Sequence, residues 1–242
     1  MRYGIFSDVH SNIAALDSVL QACASEQIDK FFCVGDIVGY GAEPEECLAR
    51  LRELPVIAIA GNHDWAVAGR ISPAAFSPDA REAVSWTADR LDLDSLGFLG
   101  GLRLVYSDHP LTFVHGTLND PSDFYYLSDL SSAAGTFALL QTPLCFVGHT
   151  HVAGIYSQDK DGRITAEPAG SVVLAESARY IVNTGSVGQP RDRDPRAAYC
   201  VFDTVQNKVE IKRVAYDVES ARRAIREAGL PGFLGDRLLQ GR

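Results

Sequence analysis

The sequence predicts an α/β fold built from a parallel sheet and a second group of strands. Over about the first sixty residues, short apolar runs alternate with amphipathic segments in a β-α-β-α-β order, which calls for parallel strands joined by right-handed helical crossovers. Beyond about residue 150, short strand-like segments dominate, separated by glycine and asparagine. No repeat, low-complexity tract or composition shift marks a linker, so we expect a single domain over residues 1–242.

The first three predicted strands alternate with two predicted helices. Ser11 or Asn12 can cap the first helix, whose apolar residues recur at helical spacing. Pro44 suits the first turn of the second helix, where Glu45 and Glu46 favour its positive end. The predicted elements are strands over 3–6, 31–34 and 56–60, a helix that begins after residue 12, and a helix over 44–54.

The middle of the chain is less regular. The pattern from 65 to 98 is mostly helical and is clearest over 80–91, and a hairpin is predicted around 108–110. Residues 117–142 combine a turn, three aromatic residues and a short helix, and we expect a lid or an oligomer contact there. A further buried strand is predicted over 144–147.

The last third of the chain predicts a second, largely antiparallel sheet. A helix over 218–228, stopped by Gly229 and Pro231, then places a helical extension at residues 215–242. The predicted strands cover 152–156, 163–166, 180–183, 197–202 and 208–214.

Composition excludes several classes of protein. A formal net charge of −9 argues against a long nucleic-acid footprint, although a metal site can be locally positive inside an acidic protein. The five cysteines show no CxxC spacing, and Cys33 and Cys145 lie in apolar runs, which is typical of buried thiols in a reducing compartment. No signal peptide and no apolar run of ~18 residues is visible, so we expect a cytoplasmic protein that does not span a membrane.

Polar residues of metal-ligand type follow five of the apolar runs. Any one of them could be an ordinary loop residue, but parallel strands bring their carboxyl ends to one crevice. Asp8 and His10, on extended backbone, would point to the same side about 6.5–7 Å apart. Five of the six histidines fall at these ends, and only His109 does not. The residues concerned are Asp8, His10, Asp36, Asn62, His63, His115, His149 and His151.

This mixture of carboxylate, imidazole and amide, without thiolate, favours Mn²⁺, Fe or Zn²⁺ in open catalytic coordination. Without His63, the set holds seven candidate ligands, which is too many for one ion and suits two. Two divalent ions, two carboxylates and a bridging hydroxide leave a net charge of about +1, which would attract a phosphate oxygen. Two metals roughly 3.5–4 Å apart can clamp the attacking and leaving oxygens of a phosphoryl displacement.

These motifs resemble, in order, those of the calcineurin-like metallophosphoesterases. The matching stretches are Asp8-x-His10, Gly35-Asp36, Gly61-Asn62-His63-Asp64, His115-Gly116 and Gly148-His149-x-His151, and they span roughly residues 1–200. Residues 35–41 and 185–192 are similar to a bacterial subgroup of small phosphodiesterase-type members. The resemblance implies an α/β sandwich of two mixed β-sheets packed face to face, with α-helices outside.

The resemblance also implies a role for each residue. Asp36 would bridge two divalent transition metal ions, Mn²⁺ foremost, with Fe, Zn²⁺, Ni²⁺ and Co²⁺ as alternatives. His63 would meet the leaving-group oxygen as a proton donor or charge stabiliser. Asp64 would orient His63 or cap the following helix. The first ion would be held by Asp8, His10 and His151, and the second by Asn62, His115 and His149, with Asn62 also contacting substrate.

One departure from the wider family is informative. The Ser/Thr protein phosphatase branch carries an Asp and an Arg where this chain has Gly39 and Tyr40, which argues against a protein phosphatase role. Arg191 or Arg193, in the loop 191–196, could grip a substrate phosphate bidentately. The alternative is that this loop is a solvated stretch of self-compensating charges.

The expected function is that of a dinuclear metal-dependent phosphoesterase. We expect a phosphodiesterase that hydrolyses a small soluble phosphate ester by attack of a metal-bridging hydroxide. One alternative is a scaffold that binds partners on the same fold, although such proteins have typically lost ligand histidines and this chain keeps them all. A nuclease or a dinucleoside polyphosphate hydrolase is the other alternative. The sequence is compatible with a homo-oligomer as well as with a monomer.

Overall fold

The computed structural model describes residues 1–242, which form two six-stranded mixed sheets packed face to face with helices outside. The expected α/β sandwich is therefore confirmed. The first sheet has the strand order β3-β2-β1-β11-β12-β9, and the second has the order β4-β5-β6-β10-β7-β8. The strands are β1 Arg2–Phe6, β2 Lys30–Cys33, β3 Val56–Ala58, β4 Val105–Asp108, β5 Leu111–Val114, β6 Leu144–Val147, β7 Gly154–Gln158, β8 Ile164–Pro168, β9 Ser171–Val173, β10 Arg179–Asn183, β11 Ala197–Asp203 and β12 Lys208–Val214.

Eight α-helices cover the outer faces of the sheets, and none is long and apolar enough to cross a membrane. Asn12 caps the first helix by accepting a hydrogen bond from the Ala15 N–H, and Pro44 begins the second, as the sequence predicts. The helices are α1 Ile13–Ala24, α2 Pro44–Arg52, α3 Asn62–Val67, α4 Pro78–Ala88, α5 Leu93–Gly101, α6 Leu130–Leu139, α7 Val218–Glu227 and α8 Gly232–Asp236.

Strand alternation divides the apolar side chains among distinct layers. Ile5 and Phe32 face the second sheet across the central core, whereas their neighbours Phe6 and Cys33 face outward onto the helices. This is the period-2 alternation of a strand that is buried on both faces. All five cysteines are buried and free, as expected for small apolar side chains.

The later strands do not form a sheet of their own, so the expectation of a second, largely antiparallel sheet is wrong. β11 pairs antiparallel with β1 and extends the first sheet, whereas β10 pairs parallel with β6 in the second. The chain therefore passes from one sheet to the other between β10 and β11. Periodicity reports which residues are buried, but it carries no information about which strands pair.

Candidate metal centre

The candidate ligands all lie just beyond the carboxyl ends of strands in the two sheets. The strand before each one is short and apolar at its end, and the first ligand lies between one and four positions beyond the last strand residue. Because adjacent parallel strands point the same way, their ends meet at one edge. Asp8 and His10 follow β1, Asp36 follows β2, Asn62 and His63 begin α3 after β3, His115 follows β5, and His149 and His151 follow β6.

The first ligand cluster contains Asp8, His10, Asp36 and His151, whose ligand atoms all lie within 4.8 Å of one another. His151 Nε2 lies 3.2 Å from Asp8 Oδ1, and His10 Nε2 lies 3.5 Å from Asp36 Oδ2. All four side chains are buried. The arrangement places two carboxylates and two imidazoles around one small space.

A second cluster contains Asp36, His115 and His149, again with ligand atoms within 4.8 Å of one another. His115 Nε2 lies 3.3 Å from Asp36 Oδ2, the same oxygen that faces His10 in the first cluster. Asp36 is thus the side chain that the two clusters share.

Backbone carbonyls fix the orientation of three of the imidazoles. The Nδ1 atoms of His10, His115 and His151 lie 3.1, 2.7 and 2.6 Å from the carbonyl oxygens of Val38, Val34 and Gln189. Since a carbonyl only accepts, each Nδ1 carries a proton and donates it, so Nε2 is the nitrogen aimed into the clusters, and in the neutral ring it is a bare lone pair. This is the tautomer that a metal-binding imidazole needs.

Several atoms of the clusters lack the partner that a cation would supply. The two bare Nε2 atoms of His10 and His151 lie 3.1 Å apart, where their lone pairs repel unless a positive charge lies nearby. Asn62 Oδ1 and His115 Nε2 are buried and make no hydrogen bond. An unsatisfied buried acceptor costs about 1–3 kcal/mol, so the residues present fit bound divalent cations.

The electrostatics favour the ligating forms of all these groups except His115. Burial lowers the pKa of His149 to about 3, and it also lowers the pKa values of His10 and His151, so these imidazoles are neutral at pH 7. Burial alone would raise the pKa of Asp36, but the neighbouring His115 outweighs it and holds that pKa well below its usual range. Burial opposes protonation of His115, yet Asp36 raises the pKa of His115 to about 9, so a metal ion at this position would have to displace a proton from that imidazole.

The backbone around the ligands differs from the sequence expectation. β1 ends at Phe6, and Asp8 and His10 have positive φ angles of 56° and 50° rather than extended values. Their side chains nonetheless converge, because two sharp turns aim both toward Asp36. Positive φ is uncommon outside glycine. It also occurs at Asp36 (53°), His149 (66°) and His151 (59°).

Both clusters border an open cavity of about 590 Å³. Asp36, Asn62, His63, His149 and His151 contribute to its lining, and Phe76 and Tyr126 are among its aromatic walls. The Tyr126 ring stacks on His149 with centroids 4.0 Å apart. A small molecule in this cavity would reach both ligand clusters.

Comparison with known proteins identifies the family. The model for the calcineurin-like phosphoesterase superfamily domain matches residues 1–207. This chain belongs to that family.

Similar proteins span the whole length of this chain. The uncharacterized protein MJ0912 of Methanocaldococcus jannaschii is 37% identical over 98% of the length of this chain and 97% of its own length. A metallophosphoesterase from Sphaerobacter thermophilus is 40% identical, covers 100% of both chains and superposes with a TM-score of 0.88. A hypothetical protein from Pyrococcus horikoshii is 18% identical over 100% of this chain and 98% of its own, with a TM-score of 0.83, and shares the fold.

His63 faces the cavity beside the first ligand cluster. Its ring centroid lies 4.9 Å from that of His10 and 4.4 Å from that of Tyr40, and its backbone N–H donates to Asp36 Oδ1 at 2.8 Å. Burial lowers the pKa of His63 to about 4. Its Nδ1 is buried without a hydrogen-bond partner and faces Gly39. A Cβ at position 39 would collide with this nitrogen.

Asp64 contacts backbone rather than His63. Its Oδ1 accepts from the N–H groups of Ile37 and Val38 at 2.8 and 3.2 Å, and its Oδ2 accepts from the Gly61 N–H at 3.0 Å. These bonds form a helix cap and tie the loop after β2 to the loop after β3. Asp64 therefore acts on the geometry of the ligand loops.

The two arginines singled out in the sequence differ in position. Arg191 contributes to the cavity lining, whereas Arg193 is exposed and lies outside it. The charges of the loop 191–196 are partly neutralised by ion pairs. Asp194 pairs with Arg196 within the loop, and Asp192 pairs with Arg213 on β12. Arg237, from the end of α8, lines the cavity as well. Sequence reasoning missed Arg237, since no motif or periodicity marks it.

Proposed function

We propose that this protein is a dinuclear-metal phosphodiesterase that acts on a small soluble phosphate ester. The proposal rests on one observation above all: two ligand clusters share Asp36, which suits a carboxylate that bridges two ions. Asp8, His10 and His151 would hold one ion, and Asn62, His115 and His149 would hold the other. The ions, Mn²⁺ foremost, would supply Lewis acidity and lower the pKa of a bound water towards ~7.

The residues around the ligands support the same reaction. The Asp36 carboxylate accepts the backbone N–H of His63 and so fixes the start of α3, which carries the imidazole beside the clusters. There the imidazole would meet the leaving-group oxygen as charge stabiliser, or as proton donor once the negative charge of a bound phosphate raises its pKa. Asp64 would support catalysis as a positioning residue, by holding the loops that carry Asp36 and His63. The net charge of −9 and the limited cavity support a small substrate over a nucleic acid.

The complete ligand set supports an enzyme rather than a partner-binding scaffold. A scaffold has no need to orient three imidazoles through backbone carbonyls toward a shared carboxylate. The absence of an acidic partner on His63 Nδ1 and of an arginine at position 40 supports a substrate other than a phosphoprotein.

The test is a hydrolysis panel on protein stripped of metal and reloaded with Mn²⁺. The panel contains an aryl phosphomonoester, an aryl phosphodiester, cyclic nucleotides and dinucleoside polyphosphates, and we expect the aryl diester to exceed the monoester in kcat/KM. Asp36→Asn should abolish turnover and reduce bound metal, whereas Asp161→Asn, an exposed surface control, should change neither. Equal turnover without metal, or two ions retained by Asp36→Asn, would contradict the proposal.

A further inference from the structure

Two arginines from distant parts of the chain line one cavity without an acidic partner. Arg191 follows β10, and Arg237 follows α8. Arg191 donates to the neutral Gln189 Oε1 at 2.8 Å, and its buried Nε has no partner. Arg237 donates from Nε to the backbone oxygen of Arg242 and forms no ion pair with an acidic side chain. By contrast, the partly buried Arg213 pairs with the Asp192 carboxylate.

The two guanidinium groups repel each other. Burial, followed by the charge of Arg191, lowers the pKa of Arg237 to about 10. The charge of Asp79 acts on Arg237 as well, but neither arginine forms an ion pair with an acidic side chain. Two such cations beside one cavity are a costly arrangement unless a ligand supplies the charge. Guanidinium groups suit a phosphate oxygen pair through bidentate hydrogen bonds.

The two arginines have different surroundings in the cavity. The Arg191 guanidinium lies over the Tyr40 ring at 5.6 Å, and the centroid of that ring lies 4.4 Å from that of His63. The charge of Arg191 contributes to the lowered pKa values of His63 and His151, whereas the groups whose charge acts on Arg237 include none of the candidate ligands. An anion that both arginines hold would therefore lie on the Arg237 side of the cavity rather than at the ligands.

Arg237 also lies outside the part of the chain that matches the family model, which ends at residue 207. The C-terminal helices reach the cavity because an apolar cluster fixes them to α4, with Ala83 on α4 buried in the same cluster as Ile225, Leu234 and Leu238. Tyr40 packs against the same cluster. The extension is thus anchored beside the site and contributes one of the two arginines of the cavity.

We propose that Arg191 and Arg237 form a subsite for a second phosphoryl group of the substrate. The substrate class is then a small organic phosphodiester that carries a separate phosphoryl group. This inference rests on the proposed function. In the reaction, water adds to the diester phosphorus, its P–O ester bond breaks and the leaving alcohol takes the proton, while the second phosphoryl group stays intact on the arginines. Apolar walls that include Phe76 and Phe124 would contact the organic portion.

A matched pair of substrates tests this subsite. The probes are 4-nitrophenyl alkyl phosphodiesters whose alkyl arm of two, three or four carbons ends in a phosphate or in a hydroxyl. The leaving group and scissile bond are the same in each pair. The wild-type protein with Mn²⁺ should prefer the phosphate arm by at least about tenfold in kcat/KM for one arm length, mostly through KM.

Variants then assign the preference to the two arginines. Arg191→Gln and Arg237→Gln should each bring the phosphate-to-hydroxyl ratio of kcat/KM close to one, and Arg237→Lys should restore part of it. Arg223→Gln, which removes an exposed charge from the same C-terminal extension, should leave the ratio as in the wild type. Equal kcat/KM on both arms, or a preference that survives both Gln variants, would overturn the subsite. Hydrolysis of neither arm would instead count against the phosphodiesterase proposal itself.

Discussion

Replacing Gly39 with alanine is expected to disable catalysis while leaving the metal sites filled. An alanine Cβ at this position would lie 2.4 Å from His63 Nδ1 and 2.9 Å from His63 Cγ. Non-bonded heavy atoms of these types approach to about 3.5–4.0 Å, so the imidazole must move by roughly 1 Å or more. His63 is not among the candidate metal ligands, and the contact therefore acts on the proposed proton donor alone.

The magnitude follows from this displacement. A misplacement of about 1 Å can cost about 10²-fold in rate, and complete loss of a general acid typically costs about 10²–10⁴-fold. We therefore expect kcat of Gly39→Ala to fall by about 10²-fold or more. Gly39 also has a φ of +92°, so an alanine there carries backbone strain of about 1–2 kcal/mol.

A variant at a second glycine distinguishes the loss of kcat from the loss of stability. Gly69 has a φ of +69°, but an added Cβ would meet nothing within 4 Å. Gly69→Ala should therefore lose comparable stability in urea denaturation and keep the wild-type kcat. The assays are steady-state hydrolysis of an aryl phosphodiester and metal content by elemental analysis. Wild-type kcat in Gly39→Ala, or a loss of metal from it, would refute the reasoning.

Three further outcomes are expected. His63→Ala should lower kcat by about 10²–10⁴-fold, and elemental analysis should still find two ions per chain; metal lost together with activity would contradict its role. Mn²⁺ at about 100 times its Kd should stabilise the metal-free protein by about 2.7 kcal/mol per site, which raises Tm by roughly 5–20 °C in a thermal scan; an unchanged Tm would mean that the ligands do not bind it. Phe146→Ala should lower the free energy of unfolding in urea by about 3–5 kcal/mol, because Phe146 is fully buried against Phe113. Leu93→Ala, whose side chain is 87% exposed, should change it by no more than about 0.5 kcal/mol.

Much of the candidate site could be predicted because residue types that ligate metals occur at recognisable positions, after apolar runs. Asp36 and His149 each follow an apolar run and a glycine, and His115 directly follows an apolar residue, so the ends of strands could be recognised without knowing how the strands pair. Helix starts were readable for the same reason, since Asn12 and Pro44 act within one turn of their own position.

What could not be predicted depends on contacts between distant residues. Pairing of β11 with β1 joins segments almost 200 positions apart, and nothing local specifies it. Arg237 reaches the cavity only because Leu234 and Leu238 dock its helix on α4, an event that leaves no motif in the sequence. The positive φ angles of Asp8 and His10 are likewise imposed by the loops that surround them.

Those unusual backbone angles matter for anyone who redesigns this chain. Asp8, His10, Asp36, His149 and His151 all have φ between 50° and 66°, where a side chain costs about 1–2 kcal/mol and glycine costs little. A procedure that ranks mutations by stability alone would place glycine at these five positions near the top of its ranking. Following that ranking would give a more stable protein that had lost five of its candidate metal ligands and therefore its expected metal-dependent activity.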